Sequence, residues 1–129
     1  MKDKKISVIT IVKNGMPFIK STVKSFNLQN YSNKELIIIY SDSEDGTENY
    51  LKNLKQDNII IEKEISFHNR YAALNQGIKL LNGEIFGILH ADDVFFSSDT
   101  LSLVSEKFNH NYDCIYGNIL FSQNNNIKK

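Results

Sequence analysis

ISVITIVKNGMPF, residues 6–18, is a β-branched, apolar run that stops abruptly at a cluster of turn-forming residues. A strand with one face in water alternates apolar and polar side chains, whereas a strand covered on both faces stays apolar throughout. From Ile6 to Val12 only Ser7 and Thr10 interrupt the run. The stretch therefore predicts a first strand inside a sheet that carries helices on both sides. Asn14 and Gly15 end it, and Pro17 suits the first turn of a helix, in which Ile19, Val23 and Phe26 recur at helical spacing.

The rest of the chain repeats the alternation. ELIIIYS (35–41) is a second strand, and DGTENYLKNL (45–54) a second helix with Asp45 and Glu48 spaced as a capping box. NIIIEKE (58–64) is a third strand. From Asn69 the pattern is helical, with Tyr71, Leu74, Ile78 and Leu81 as one apolar stripe ended by Asn82-Gly83. EIFGILH (84–90) is a fourth strand, SSDTLSLVSEKF (97–108) a helix capped by Ser98 or Asp99, DCIYGNILF (113–121) a fifth strand and SQNNNIKK (122–129) a polar tail. Such alternation predicts an α/β fold, a mostly parallel sheet flanked by helices with right-handed crossovers. No repeat or linker divides residues 1–129, which read as a single domain.

At 129 residues, 41% hydrophobic and 23% charged, the composition is that of a globular protein with one core. Fifteen basic residues balance fifteen acidic ones, which argues against a nucleic-acid partner. Cys114 is the only cysteine, so an intramolecular disulfide is excluded, and its apolar neighbours predict a small core residue. The basic-then-apolar start lacks a small-residue cleavage site, and no segment approaches the roughly twenty apolar residues of a membrane helix. A cytoplasmic location is expected.

In parallel sheets ligands bind beyond the carboxyl ends of the strands, at a switch point in strand order. Those ends supply Val12-Lys13-Asn14, Ser41-Asp42, a loop around His68 to Arg70, and His90 to Asp93. Asp92 and Asp93 repel one another at the end of a buried strand, and a hard divalent cation such as Mg²⁺ or Mn²⁺ would compensate them. Asp45 is read as a cap, Asp42 as an acceptor for a base or ribose, and Arg70 as a partner for phosphate or a nucleobase carbonyl. His68, His90 and His110 lack metal-site spacing, and no glycine-rich phosphate loop is present.

Together these pieces resemble one family, the family-2 glycosyltransferases with their GT-A nucleotide-sugar-binding fold. SVITIVKNGMPFIKSTVKSFNLQNYSNKELIIIYSDSEDGT (7–47) is similar to the family's opening: S-V-I-x-x-x-x-N, then S-x-x-x-Q, then D-G-S-x-D-G-T. RYAALNQGIKLLNGEIFGILHADD (70–93) is similar to its middle, which ends in the D-x-D strand end, and YDCIYGNI (112–119) to the strand that follows. The resemblance implies a Rossmann-like donor-binding half that takes a nucleotide-diphosphate-sugar, often UDP-linked, with Mg²⁺ or Mn²⁺. It also implies transfer with inversion to a saccharide or lipid-linked acceptor, in cell-surface polysaccharide biosynthesis. By the same resemblance Asp92 and Asp93 take the D-x-D role as metal ligands, one of them also reaching the ribose. Thr10, Ile11 and Val12 line the base pocket, and Arg70 reaches the uracil or diphosphate.

Two positions depart from the family's spelling. The acids that often contact the base fall on Tyr40 and Ser41, with Asp42 at a usual glycine position, and the first acid of D-x-D is His90. Family catalytic domains also extend further, and their second half carries the acceptor site and the base. Residues 1–129 are thus expected to be a truncated donor half with no catalytic base of its own. The alternative is a nucleotide-sugar-binding module that does not transfer. Self-association as a homodimer is expected through the exposed sheet edge. A phosphoacceptor receiver domain of similar size needs acids after strand one, where Lys13-Asn14 stands, and a lone aspartate after strand three, where Glu62-Lys63 stands.

Overall fold

The computed structural model describes residues 3–66, 69–123 and 126–128. Four strands, β1 (Ile6–Val12), β2 (Lys34–Tyr40), β3 (Ile59–Lys63) and β4 (Ile85–Ile88), form one parallel sheet in the order β3-β2-β1-β4. Ile6 lies opposite Lys34 and Ile85, and Val12 opposite Tyr40. The chain builds outward from β1 to β3, then crosses back to place β4 on the other side of β1. The switch point therefore lies between the carboxyl ends of β1 and β4.

Helices α1 (Phe18–Asn27), α2 (Thr47–Asn53), α3 (Arg70–Lys79) and α4 (Thr100–Phe108) cover the sheet. Ile6, Val8 and Val12 of β1 and Leu36 and Ile38 of β2 form the larger core with Ile19, Val23 and Phe26 of α1 and Leu101 of α4. The alternate positions Ile37 and Ile39 form a second core with Ala73 of α3. Burial on both sides is why these strands carry no polar alternation.

Three local expectations are revised. The buried face of α3 is Ala73 and Gly77, not the stripe of Tyr71, Leu74, Ile78 and Leu81; Tyr71 is 77% exposed. Small residues let the helix backbone approach the sheet: a Cβ on Gly77 would lie 2.8 Å from Ile9 Cγ2. The fifth strand over 113–121 does not pair with the sheet. Gly117 and Asn118, both poor strand formers, interrupt its apolar run, and its Tyr116 is 95% exposed. Strand structure resumes only at β5 (Phe121–Gln123), which pairs antiparallel with β6 (Asn126–Lys128) inside the expected polar tail. Cys114 on the unpaired segment is exposed rather than in the core.

The caps differ as well. Gly46, not Asp45, is the N-cap of α2; Asp45 stands one residue before it and accepts from the Thr47 amide (3.1 Å) and hydroxyl (2.6 Å), and Glu48 pairs with Lys52 (3.1 Å) rather than closing a box. At α4 neither Ser98 nor Asp99 caps through its side chain. Gln29 Oε1, at the end of α1, accepts from the Leu101 amide at 3.0 Å and does the work from outside.

At the amino end of the sheet, Glu35 is enclosed yet fully engaged. Ser7 Oγ (2.6 Å) and the Asn82 amide (2.8 Å) donate to Oε1, and Lys5 Nζ lies 2.5 Å from Oε2. The Gly83 amide donates to Ser7 Oγ (2.9 Å), and a Cβ on Gly83 would collide with that oxygen at 2.5 Å. This cluster pins the α3–β4 turn beneath β1 and β2.

Candidate functional site

At the carboxyl end, the loop after β1 and the loop after β2 are stitched into one rim. The Asn14 amide donates to Ser43 Oγ (2.9 Å), Gly15 to Thr47 Oγ1 (2.9 Å) and Met16 to Asp45 Oδ2 (2.8 Å). In return Asn14 Oδ1 accepts from the Glu44 amide (2.9 Å), with Asn14 held at φ 49°. Asn is one of the few residues that enters this left-handed region readily. Asn14 is thus fixed by the scaffold that it completes.

Across the switch point, β4 runs into a turn closed by the Asp93 amide donating to His90 oxygen at 3.0 Å. The turn and the loop behind it rest on one polar stripe of α1. Thr22 Oγ1 lies 3.0 Å from the Ala91 carbonyl and 2.8 Å from that of Asp93. Ser25 Oγ accepts from the Phe95 amide (3.2 Å), and Gln29 Nε2 donates to the Ser97 carbonyl (2.6 Å). Ser25 and Gln29 are the S-x-x-x-Q pair of the sequence, so that spacing now has a physical reason: one helix turn apart, they carry the segment that follows the carboxylates.

Between these rims opens a cleft of about 300 Å³. Ile11, Asn14, Arg70 and Asp92 line it, as the sequence led one to expect, joined by Lys13, Phe18 and His90. Arg70 is the first residue of α3, whose start is set by Asn69; Oδ1 of Asn69 accepts from the Tyr71 (3.0 Å) and Ala72 (3.4 Å) amides. The Arg70 guanidinium reaches across the cleft to a long 3.5 Å contact with His90 Nδ1. The cleft thus brings two basic side chains, Lys13 and Arg70, together with the Asp92 carboxylate. Such a mixture suits an anion that arrives with a cation of its own.

The other expected residues lie elsewhere. Thr10 is fully buried and donates to the Leu89 carbonyl at 2.8 Å, so it holds β4 rather than lining a base pocket. Val12 sits in the larger core. These follow from the twofold period of β1, which sends only Ile11 of the three towards the cleft. Ser41 is buried, with its hydroxyl bonded to Glu64 of the segment after β3. Asp42 is ion-paired with Lys63, and this carboxylate holds the Lys63 ammonium above its ordinary pKa. Asp93 is exposed on the same turn as Asp92 but does not line the cleft. His68 lies outside the described residues. Sequence reasoning missed Phe18 and Thr22, although Thr22 stands one helical step before the recognisable Ser25.

Among the described residues no three His, Cys, Asp or Glu side chains gather into a metal cage. Two adjacent carboxylates on an exposed turn are nevertheless the hard oxygen donors that Mg²⁺ and Mn²⁺ accept when substrate phosphates and water complete the shell. The donor set fits a cation shared with a diphosphate.

Comparison with known proteins agrees with this architecture. S. aureus TarS residues 1–349 in complex with UDP-GlcNAc superimposes with a TM-score of 0.72 at 19% identity, over 82% of this chain and 31% of that TarS fragment. Mannosyltransferase PcManGT from Pyrobaculum calidifontis, in complex with GDP-Man and Mn²⁺, gives 0.70 at 23% identity, over 81% and 32%. The fold is that of the GT-A glycosyltransferases. The chain belongs to Glycosyl transferase family 2, whose sequence model matches residues 7–129. It is 27% identical over 128 residues to the Campylobacter jejuni GalNAc(5)-diNAcBac-PP-undecaprenol beta-1,3-glucosyltransferase, covering 97% of this chain and 41% of that enzyme. It is 25% identical over 127 residues to the Escherichia coli UDP-Glc:alpha-D-GlcNAc-diphosphoundecaprenol beta-1,3-glucosyltransferase WfgD, covering 98% and 50%. The chain therefore spans half or less of the length of these relatives. No helix among the described residues is long and apolar enough to cross a membrane.

Proposed function

We propose that residues 1–129 form the donor half of an inverting sugar transferase, binding a nucleotide-diphosphate-sugar with a divalent cation at the β1/β4 switch point. The observation that carries the reading is that Arg70 and Asp92 line one cleft together with Lys13 and Asn14. Arg70 is placed to take diphosphate oxygens in charge-assisted hydrogen bonds. Asp92 from the cleft wall and Asp93 beside it on the same turn would hold the cation, and Ile11 would give the base an apolar wall. Mg²⁺ or Mn²⁺, when bound, neutralises charge on the departing nucleotide diphosphate. UDP is the nucleotide proposed, since a UDP-sugar appears in the names of both WfgD and the TarS complex. The acceptor proposed is a lipid-linked saccharide, the class named for both bacterial glucosyltransferases.

Calorimetric titration of UDP with Mn²⁺ tests the donor site. Asp92→Asn and Asp93→Asn are expected to weaken binding about tenfold or more while leaving the melting temperature in place, because both side chains are exposed. Unchanged affinity in both variants would sink the metal-site reading; GDP titrated alongside tests the base.

One observation favours a second reading, a module that binds donor without transferring it. Among the described residues lining the cleft Asp92 is the one carboxylate, and in this reading its role is with the cation rather than as a base for an acceptor hydroxyl. A transfer assay with UDP-sugar and a diphospholipid-linked acceptor separates the two: turnover by these 129 residues supports the transferase, and tight UDP binding without turnover supports the module.

A further inference from the structure

β4 ends its ladder early. Its last bond to β1 is the Leu89 amide donating to the Ile9 carbonyl at 3.0 Å, and from there the chain leaves the sheet towards the two carboxylates. Beyond that point its alternate carbonyls, those of Leu89, Ala91 and Asp93, are met not by a strand but by two threonine hydroxyls. Thr10 Oγ1, from β1, donates to Leu89 oxygen at 2.8 Å; Thr22 Oγ1, from α1, lies 3.0 and 2.8 Å from the Ala91 and Asp93 oxygens. Both threonines are fully buried.

The arrangement is economical in donors. A hydroxyl carries one proton, and that of Thr22 faces two carbonyls of the turn, with the Phe18 carbonyl of its own helix further off at 3.4 Å. The two turn carbonyls are only partly buried, so the hydroxyl competes with water for them and acts chiefly on where the turn sits. The Thr22 proton, shared between the two oxygens, favours a seat of the turn over α1, and a displacement exchanges that bond for water. Asp92 lies between the two carbonyls that the hydroxyl meets.

We infer that Thr10 and Thr22 are positioning residues: together they extend the β4 edge as a hydroxyl rail and set the place of the Asp92-Asp93 turn opposite Arg70. This rests on the reading of that turn as the site for a nucleotide diphosphate with its cation, but the seating itself is independent of any ligand. No contact of Thr10 or Thr22 with the donor is involved.

The test uses Thr22→Val and Thr10→Val, near-isosteric and without a hydroxyl, with Thr22→Cys as a milder probe of the same size and weak donor strength, and Thr22→Ser as rescue. Hydrogen–deuterium exchange without ligand is expected to rise about tenfold or more over residues 89–96 in Thr22→Val, above any rise in the rest of the sheet, and to return to near wild type in Thr22→Ser. UDP–Mn²⁺ affinity, measured well below the melting temperature, is expected to fall about tenfold to a hundredfold in Thr22→Val, the scale of a misplacement near 1 Å. It should fall less in Thr22→Cys and Thr10→Val. Exchange that rises evenly over the whole sheet, or affinity equal to wild type at a lowered melting temperature, overturns the inference and leaves the hydroxyls a stabilising role only. Asp92→Asn and Asp93→Asn divide the two failures. If they keep wild-type affinity, the donor-site reading fails while the exchange result still decides the rail; if they lose affinity and Thr22→Val does not, the rail alone fails.

Discussion

Asn69 shows how much one side chain can set. Its Oδ1 takes two amides of the first turn of α3, which otherwise have no partner within the helix, and the next residue is the arginine of the cleft. Asn69→Ala is expected to cost about 1 kcal/mol, the usual worth of such a cap, read as a shift in urea midpoint at unchanged slope. The cap was legible, because Asn before a helical pattern is a start signal. Which cleft residue it would serve was not, since Arg70 meets His90 only through a contact twenty residues away in sequence. Thr10 illustrates the opposite case. The family resemblance implied a ligand contact for it, whereas the parity of β1 buries it against the Leu89 carbonyl.

Among the elements, α3 departs most from its sequence pattern. Hydropathy favours the stripe of large residues, but the packing uses the small ones, because Gly77 and Ala73 allow an approach that Leu or Ile would prevent. Gly77→Ala sets two effects against each other. Helix propensity gains about 1 kcal/mol, whereas forcing a methyl to 2.8 Å from Ile9 Cγ2 costs about 1–3 kcal/mol of overpacking. Net destabilisation of about 1 kcal/mol is expected in thermal or chemical unfolding; a stabilised variant would show that α3 can shift outward freely. The fifth strand failed for a related reason. An apolar run becomes a strand only where it pairs, and Gly117 and Asn118 weaken the β-propensity of this one.

For the molecule as a whole, the sheet is held at opposite ends by different chemistry: a polar cluster on Glu35 at the amino end, and the threonine-borne turn at the carboxyl end. Burial alone would raise the Glu35 pKa, but the Lys5 ammonium, the Ser7 hydroxyl and the Asn82 amides outweigh it and hold the carboxyl below its ordinary 4.5. A carboxylate whose pKa is depressed by folding adds stability above its unfolded value and loses it as pH falls through the folded one. Acid should therefore destabilise the protein below pH 4.5, and Glu35→Gln should be less stable at neutrality yet lose less on acidification. Parallel acid limbs for the two proteins in urea titrations would assign the effect to other groups. On the far side of β4, Phe86 and Ile88 stay about half exposed, an apolar surface that these strands and helices do not themselves cover.

The sequence by itself determined the four strands, the four helices, the parallel class and the family, because hydropathy period, turn residues and family motifs are local properties of the chain. It also marked Asn14, Arg70 and the two aspartates as neighbours at one sheet edge. Only the tertiary structure decided which of the marked residues share a cleft. Strand parity turned Thr10 and Val12 inward, and ion pairing drew Asp42 to Lys63. It alone could show that the carboxylates stand where they do because buried hydroxyls from β1 and α1, 79 and 69–71 residues distant in sequence, take the carbonyls around them. Hydrogen-bond partners at that separation leave no periodic trace in a sequence.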